Sequence, residues 1–146
     1  MDFIVEQANN NASKYNDLQV GQANIKVIGS GGAGNNMVSW LYKRGIKGAE
    51  IIACNTDQQH LKITEAEKKF MIGKELTRGL GCGGFPQRGA EAAQESLMEL
   101  KTVLKGADMV FVAGGLGGGT ASGAAPVIAR TAKENGCLTV AVVTKP

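Results

Sequence analysis

"ADMVFVAGGLGGGTASG", residues 107–123, places six glycines in the ten positions from Gly114 to Gly123, directly behind an apolar run. Glycine loses more backbone entropy on folding than any other residue, so such a run is disfavoured unless bare backbone is itself the useful feature. The stretch reads as a buried strand ending in a loop that another group must approach closely.

Similar β-branched apolar runs stand at 25–29 (IKVIG), 50–54 (EIIAC), 69–72 (KFMI), 108–113 (DMVFVA) and 138–143 (LTVAVV), bounded by Gly, Asp or Asn. Their near-continuous hydrophobicity fits strands covered on both faces. Helical patterns lie between them. Met37, Val38, Leu41 and Tyr42 share one side of 35–44, and Ala93, Leu97, Leu100 and Leu104 recur along 86–105 behind Pro86, a residue suited to a first helical turn. The stretch 121–136 supplies a last helix, with Pro126 tolerable near its start and Gly136 as its stop. Alternation of strand and helix predicts an α/β fold: a mostly parallel sheet with right-handed crossovers, in a Rossmann-like three-layer sandwich. In such sheets ligands bind beyond the carboxyl ends of the strands, where the glycines are.

The 146 residues, 43% of them hydrophobic, suffice for one domain or a piece of a larger one. The net charge of +3 is scattered, so nucleic acid is not indicated as a partner. No apolar run approaches the roughly 18 residues of a membrane span, and the chain is expected to be cytoplasmic. Residues 1–24, polar and rich in Asn and Gln, read as a flexible leader. Cys54, Cys82 and Cys137 are too far apart for a zinc site or a disulfide framework. Cys54 and Cys137 read as core residues of strands. Cys82, in a glycine-rich loop, is the one placed to react, though a structural role is the commoner reading.

The first strand runs into "GSGGAGNN", where Gly29, Gly31 and Gly34 satisfy G-x-G-x-x-G. This motif allows a tight turn and close backbone approach to phosphate at a helix N-terminus, whose unpaired N–H groups carry partial positive charge. A Rossmann NAD(P)-binding domain is one reading. Against it, Asn55 stands where a ribose-binding carboxylate is expected, with Asp57 nearby, and a dinucleotide fold has no need of the second glycine loop at 114–123. Two such loops at neighbouring strand ends favour a mononucleotide cradle. The G-x-x-x-x-G-K-[ST] P-loop is absent and neither loop contains lysine. Charge compensation is therefore assigned to backbone N–H groups, helix dipoles, the Thr120 and Ser122 hydroxyls and a bound Mg²⁺.

"GGLGGGTASGAAP" closely resembles the tubulin/FtsZ signature G-G-G-T-G-[ST]-G. "IKVIGSGGAGNN", "ACNTDQQHL", "IGKELTRGLGCGGFPQRGAEAAQES" and "LTVAVVTKP" resemble FtsZ in the same order, from Ile25 to Pro146. The resemblance implies a tubulin/FtsZ GTPase-type fold and a cytoskeletal cell-division protein that binds GTP or GDP and polymerises into filaments, with any membrane link indirect. It implies phosphate contacts from Gly31, Gly32, Ala33, Gly34, Asn35 and Asn36 in the first loop and from Gly117, Gly118, Gly119, Thr120 and Ala121 in the second. Asn55 and Asp57 would line the pocket, and Gly83 and Gly84 would belong to a loop that senses the γ-phosphate. Ala121 replaces the fourth signature glycine, and Phe85 stands where FtsZ usually has Asn; a positive φ or a phosphate contact at 121 would make even a methyl group costly.

In FtsZ, the ribose and guanine contacts, the central helix, the second domain and the acidic loop that completes the next subunit's site all follow "VTKP". Residues 25–146 thus correspond to the N-terminal part of the nucleotide-binding domain. The resemblance implies that this part alone neither hydrolyses GTP nor builds an ordinary filament, and that an apolar sheet face is open. A truncated, non-hydrolysing relative that modulates filaments of a complete homologue is the alternative. Thr77 and Arg78 are placed near the sensing loop or a subunit contact, or are merely solvated beside it. His60 reads as surface or filler, and Trp40 lies off the apolar stripe of its helix.

Overall fold

The computed structural model describes residues 23–146. Five strands form one sheet in the order β3-β2-β1-β4-β5: β1 (Ile25–Ser30), β2 (Ala49–Asn55), β3 (Lys68–Met71), β4 (Met109–Gly115) and β5 (Leu138–Thr144). Every pair is parallel. The helices are α1 (Gly31–Lys43), α2 (Gln58–Ile63), α3 (Lys74–Thr77), α4 (Pro86–Glu95), α5 (Leu97–Leu104) and α6 (Gly119–Glu134). The strand reading holds to within a residue or two at each end.

Most of the core lies on the face covered by α4, α5 and α6, where Ile28, Ile52, Val110 and Val112 meet Ala93, Leu100, Leu104 and Ile128. A smaller cluster, Val38, Ile51, Ala53 and Leu61, fills the opposite face under α1 and α2. Each large side chain buried in this way stabilises by about 1.5–3 kcal/mol. On the α1 side the cover stops short of β5, leaving a groove of about 520 Å³ lined by Val27, Met37, Trp40, Leu41, Phe111 and Val142. Trp40 is 55% exposed at its rim, with the Arg44 guanidinium 4.3 Å from its ring centroid.

Two expectations are corrected, and a third falls almost wholly outside the described residues. The helix expected over 86–105 is two helices, broken at Ser96, whose backbone is non-helical (φ −98°, ψ 22°) and whose Oγ accepts the Gly73 N–H at 3.0 Å. That tertiary bond overrides a helical periodicity that runs unbroken through the joint. The last helix begins at Gly119 and continues through Pro126, which faces solvent, so the Ser122 carbonyl left without an N–H partner is turned towards water. The leader over 1–24 lies outside the described residues except for its end. There, Asn24 N–H donates to Asp108 Oδ2 at 2.7 Å and Asn24 O accepts the Asp108 N–H at 2.8 Å, so the chain is already fixed at Asn24. Among the described residues, no helix is long and apolar enough to cross a membrane.

At the amino end of the sheet, Glu50 sits between Lys26 Nζ at 3.5 Å and Lys68 Nζ at 2.7 Å, its side chain 25% exposed. Burial pushes its carboxyl up, but the neighbouring ammonium groups of Lys68 and Lys26 together outweigh this and hold it below the usual value. A depressed carboxyl contributes stability above its unfolded pKa of about 4.3 and loses it as pH falls through the lower folded value. Glu50→Gln is expected to cost about 0.5–1 kcal/mol at neutral pH, with the gap from wild type constant above pH ~5 and closing below pH ~4. Urea unfolding of both proteins from pH 7 down to 3 measures it. A gap that persists at pH 3 would show the charge to be irrelevant.

Candidate nucleotide-binding site

The site follows from the topology. β1 leads into α1 on one face of the sheet and β4 into α6 on the other, and these two strands are neighbours, so a crevice opens between their carboxyl ends. Both helices start within a glycine loop, which leaves the N–H groups of Gly31, Gly32 and Ala33, and of Gly119, Thr120 and Ala121, without intrahelical partners. The two helix starts nearly touch: a Cβ on Gly31 would lie 3.2 Å from Ala121 N and 3.3 Å from Thr120 Cβ. With φ at +72°, Gly31 also adopts a conformation that L side chains avoid.

Two depressions meet over these helix starts. One, of about 350 Å³, is bounded by Gly31, Gly32, Ala33, Gly118, Gly119 and Ala121. The other, of about 290 Å³, is bounded by Asn55, Asp57, His60 and the loop 80–84. Gly32, Gly119 and Thr120 belong to both. No lysine or arginine lines either, so the local positive potential comes from backbone N–H groups and the two helix dipoles.

The loop 80–84 is held against the carboxyl end of β2 by backbone bonds. Gln58 N–H donates to Gly79 O at 3.0 Å and Gly81 N–H to Thr56 O at 3.1 Å. A Cβ on Gly119 would come 2.8 Å from Phe85 N, so this loop also rests directly on the start of α6. Arg78, at φ +53°, is the non-glycine residue with positive φ among those described and turns the chain into the loop. Thr77 is buried beside it, its Oγ1 donating to Gly73 O at 3.0 Å.

Most of the expected site residues line these depressions, but four do not. Gly34 is buried, where a Cβ would fall 2.5 Å from Ala113 O; its glycine lets α1 pack on the sheet. Asn35 is fully buried, donating to Gly29 O and Cys54 O, while Asn36 is exposed outside both depressions. Gly117 N–H is taken by Ser122 Oγ at 3.0 Å, so both residues close their own loop. Asn55 is 2% exposed at the pocket wall, its amide donating to Asn35 Oδ1 at 3.1 Å. Asp57 lies at the rim as the N-cap of α2, its Oδ1 accepting the His60 N–H at 3.0 Å.

Ala121 has ordinary helical geometry and is 4% exposed, its methyl group 3.0 Å from where a Gly114 Cβ would stand. The methyl points into the protein rather than towards the crevice. Phe85 is 63% exposed at the head of α4.

Cys82 takes the structural role that was its commoner reading: it is a buried thiol, 3% exposed, donating to Thr56 Oγ1 at 3.4 Å. Cys54 is buried as well, and desolvation pushes its thiol up to about 12. His60, expected as surface or filler, lines the second depression. Sequence reasoning passed over Thr56, whose hydroxyl lies 2.7 Å from Thr120 Oγ1; its place between Asn55 and Asp57 at a strand end was the available signal.

The family model described as Tubulin/FtsZ family, GTPase domain, matches residues 24–146. The chain belongs to the Tubulin/FtsZ family. It is similar to cell division protein FtsZ 2 of Methanocaldococcus jannaschii, 54% identical over 134 residues, covering 92% of this chain and 35% of that protein. Cell division protein FtsZ 1 of Archaeoglobus fulgidus is 59% identical over 122 residues, covering 84% of this chain and 33% of that protein. Among solved structures, an empty FtsZ dimer from M. jannaschii superposes with a TM-score of 0.87 at 52% identity, covering 94% of this chain and 40% of that one. A GTPγS-bound protofilament of CetZ2 from Haloferax volcanii superposes at 0.69 with 29% identity, covering 84% of this chain and 39% of that one. The chain spans about a third of the length of the curated FtsZ relatives it matches.

Proposed function

We propose that this chain holds the phosphates of GTP or GDP between the starts of α1 and α6, as the phosphate-binding part of an FtsZ-type protein that assembles into cell-division filaments in the cytoplasm. The observation that carries the reading is the convergence of two glycine-opened helix N-termini on one crevice, with Gly31 against Thr120 and Ala121. Six main-chain N–H groups and two helix dipoles then face an anion from two sides. The guanine base and the filament rest on the family membership, because a phosphate cradle is indifferent to the base.

Mg²⁺ fits this site as a partner of the phosphates. Among the described residues no cluster of three His, Cys, Asp or Glu forms a protein cage for it. Asp57 and Thr120 offer hard oxygen donors at the rim, in keeping with an ion held mainly by phosphate oxygens. When bound it neutralises phosphate charge that no side-chain cation here offsets. Turnover is not proposed for the chain alone, since Asp57 is the one carboxylate lining the described depressions and its Oδ1 is already engaged.

Calorimetric titration with GTP, GDP, ATP and NAD in the presence of Mg²⁺ tests the reading. GTP and GDP are expected to bind, and Thr120→Ala to weaken both at least tenfold by removing a hydrogen bond to a charged group. A folded chain that binds neither, or prefers NAD, overturns the proposal.

A further inference from the structure

The Thr120 hydroxyl is not free. It lies 2.7 Å from Thr56 Oγ1, and Thr56 Oγ1 in turn accepts the Cys82 S–H at 3.4 Å. The three groups join the start of α6, the carboxyl end of β2 and the loop 80–84, which are the three parts that close the second depression.

By geometry either threonine hydroxyl can be the donor, and a proton inventory selects between the two directions. A threonine hydroxyl has one proton to give and two lone pairs to receive with. Thr56 is fully buried, and its oxygen has Cys82 Sγ and Thr120 Oγ1 as its side-chain partners. With the thiol proton directed at Thr56, the buried Thr56 proton has Thr120 Oγ1 as its one remaining side-chain partner among the described residues, whereas accepting from both neighbours would leave that proton unpaired. Thr120 is then an acceptor towards the protein and keeps its own O–H for the half-exposed side that faces both depressions. Phosphate oxygens at neutral pH accept hydrogen bonds, so a hydroxyl held as a donor is the form they require.

We infer that Thr56 is a positioning residue: with Cys82 behind it, it holds Thr120 as a hydrogen-bond donor aimed at the bound phosphates. This rests on the phosphate-binding reading above. It adds a residue that touches no ligand and acts through one that does. It also gives Cys82 a purpose other than reactivity, as the outermost donor of a three-group chain.

Calorimetry with GDP and Mg²⁺ on the full 146-residue chain, with unfolding followed in parallel, provides the test. Thr56→Val keeps the shape and removes the hydroxyl, and is expected to weaken GDP about tenfold, the effect of a lost hydrogen bond of ordinary net strength. Thr56→Ser, which restores the donor, is expected within about twofold of wild type on the same scale. In a Thr120→Val background, Thr56→Val is expected to have no further effect, because residues that act as one unit are not additive. Should Thr56→Val fail to fold, Thr56→Ala reports instead: it removes the same hydroxyl without adding a methyl group, and the same loss of about tenfold relative to Thr56→Ser is expected.

Failure of serine to rescue, or full additivity with Thr120→Val, makes Thr56 a packing residue and overturns the inference while leaving phosphate binding intact. Absence of GDP binding to the folded wild type overturns the phosphate reading itself, and the inference with it.

Discussion

Asn35→Ala is expected to destabilise the chain by about 3 kcal/mol, because it strips partners from three buried polar groups at roughly 1 kcal/mol or more each. The Asn35 amide donates to Gly29 O at 3.1 Å and Cys54 O at 2.9 Å, joining the carboxyl ends of β1 and β2. Its Oδ1 accepts Asn55 Nδ2 at 3.1 Å. The side chain is fully buried, so alanine leaves both carbonyls and the Asn55 amide short of a bond in a site that water reaches poorly. The melting temperature should fall by roughly 10 °C for a domain of this size. Asn36→Ala, one residue on and exposed, should stay within about 0.5 kcal/mol of wild type. Chemical denaturation of the two variants side by side measures the contrast. Equal effects would mean that Asn35 does not organise the strand ends.

Gly123→Ala is expected to destabilise by about 2 kcal/mol, although helix propensity alone would make the same change stabilising by about 1 kcal/mol. The sign is decided by what an added methyl meets. A Cβ on Gly123 would overlap Pro86 O and lie 2.5 Å from Ala90 N, both backbone atoms of α4. From the other side, a Cβ on Gly89 would overlap Gly119 O and lie 2.7 Å from Thr120 O. The helices α4 and α6 therefore meet main chain to main chain, and neither can yield by turning a rotamer. Displacing α4 also shifts Phe85 and the loop before it, which rests on Gly119. Nucleotide affinity should fall along with stability. A stabilised Gly123→Ala would show that the helices separate freely, contrary to the packing described.

The parallel sheet was legible because fully buried strands write themselves as β-branched runs, and β4 and its glycine loop could be read almost residue by residue. The helix breaks were not. Ala93 before the joint and Leu97, Leu100 and Leu104 after it keep helical spacing across an interruption caused by Ser96 and Gly73, which the fold alone brings together. The site was legible as two glycine loops, but the role of each residue within them was not. Gly31 and Gly34 belong to the same motif, yet one borders the crevice and the other packs against Ala113. Asn35 and Asn36 are neighbours of one type, and the turn of α1 sends one inside and the other to water. Thr56 was invisible for a related reason: its partners Thr120 and Cys82 lie 64 and 26 residues away in the chain.

The all-parallel order also bears on how the molecule comes into being. The central pairing of β1 with β4 begins beside Asn24 and Asp108, which are 84 residues apart in the chain. Closing so long a loop must precede any contact that rewards it, and topologies dominated by distant pairings fold in milliseconds to seconds rather than microseconds. The crevice draws on the carboxyl ends of β1, β2, β4 and β5, through Gly31, Asn55, Gly115 and Thr144, so it forms only when these strands are paired. A ligand that fits it recognises the assembled sheet. At a hundredfold excess over its dissociation constant such a ligand adds about 2.7 kcal/mol to folding. If the proposed nucleotide is that ligand, its binding adds to the stability of the sheet, apart from whatever the nucleotide does once bound.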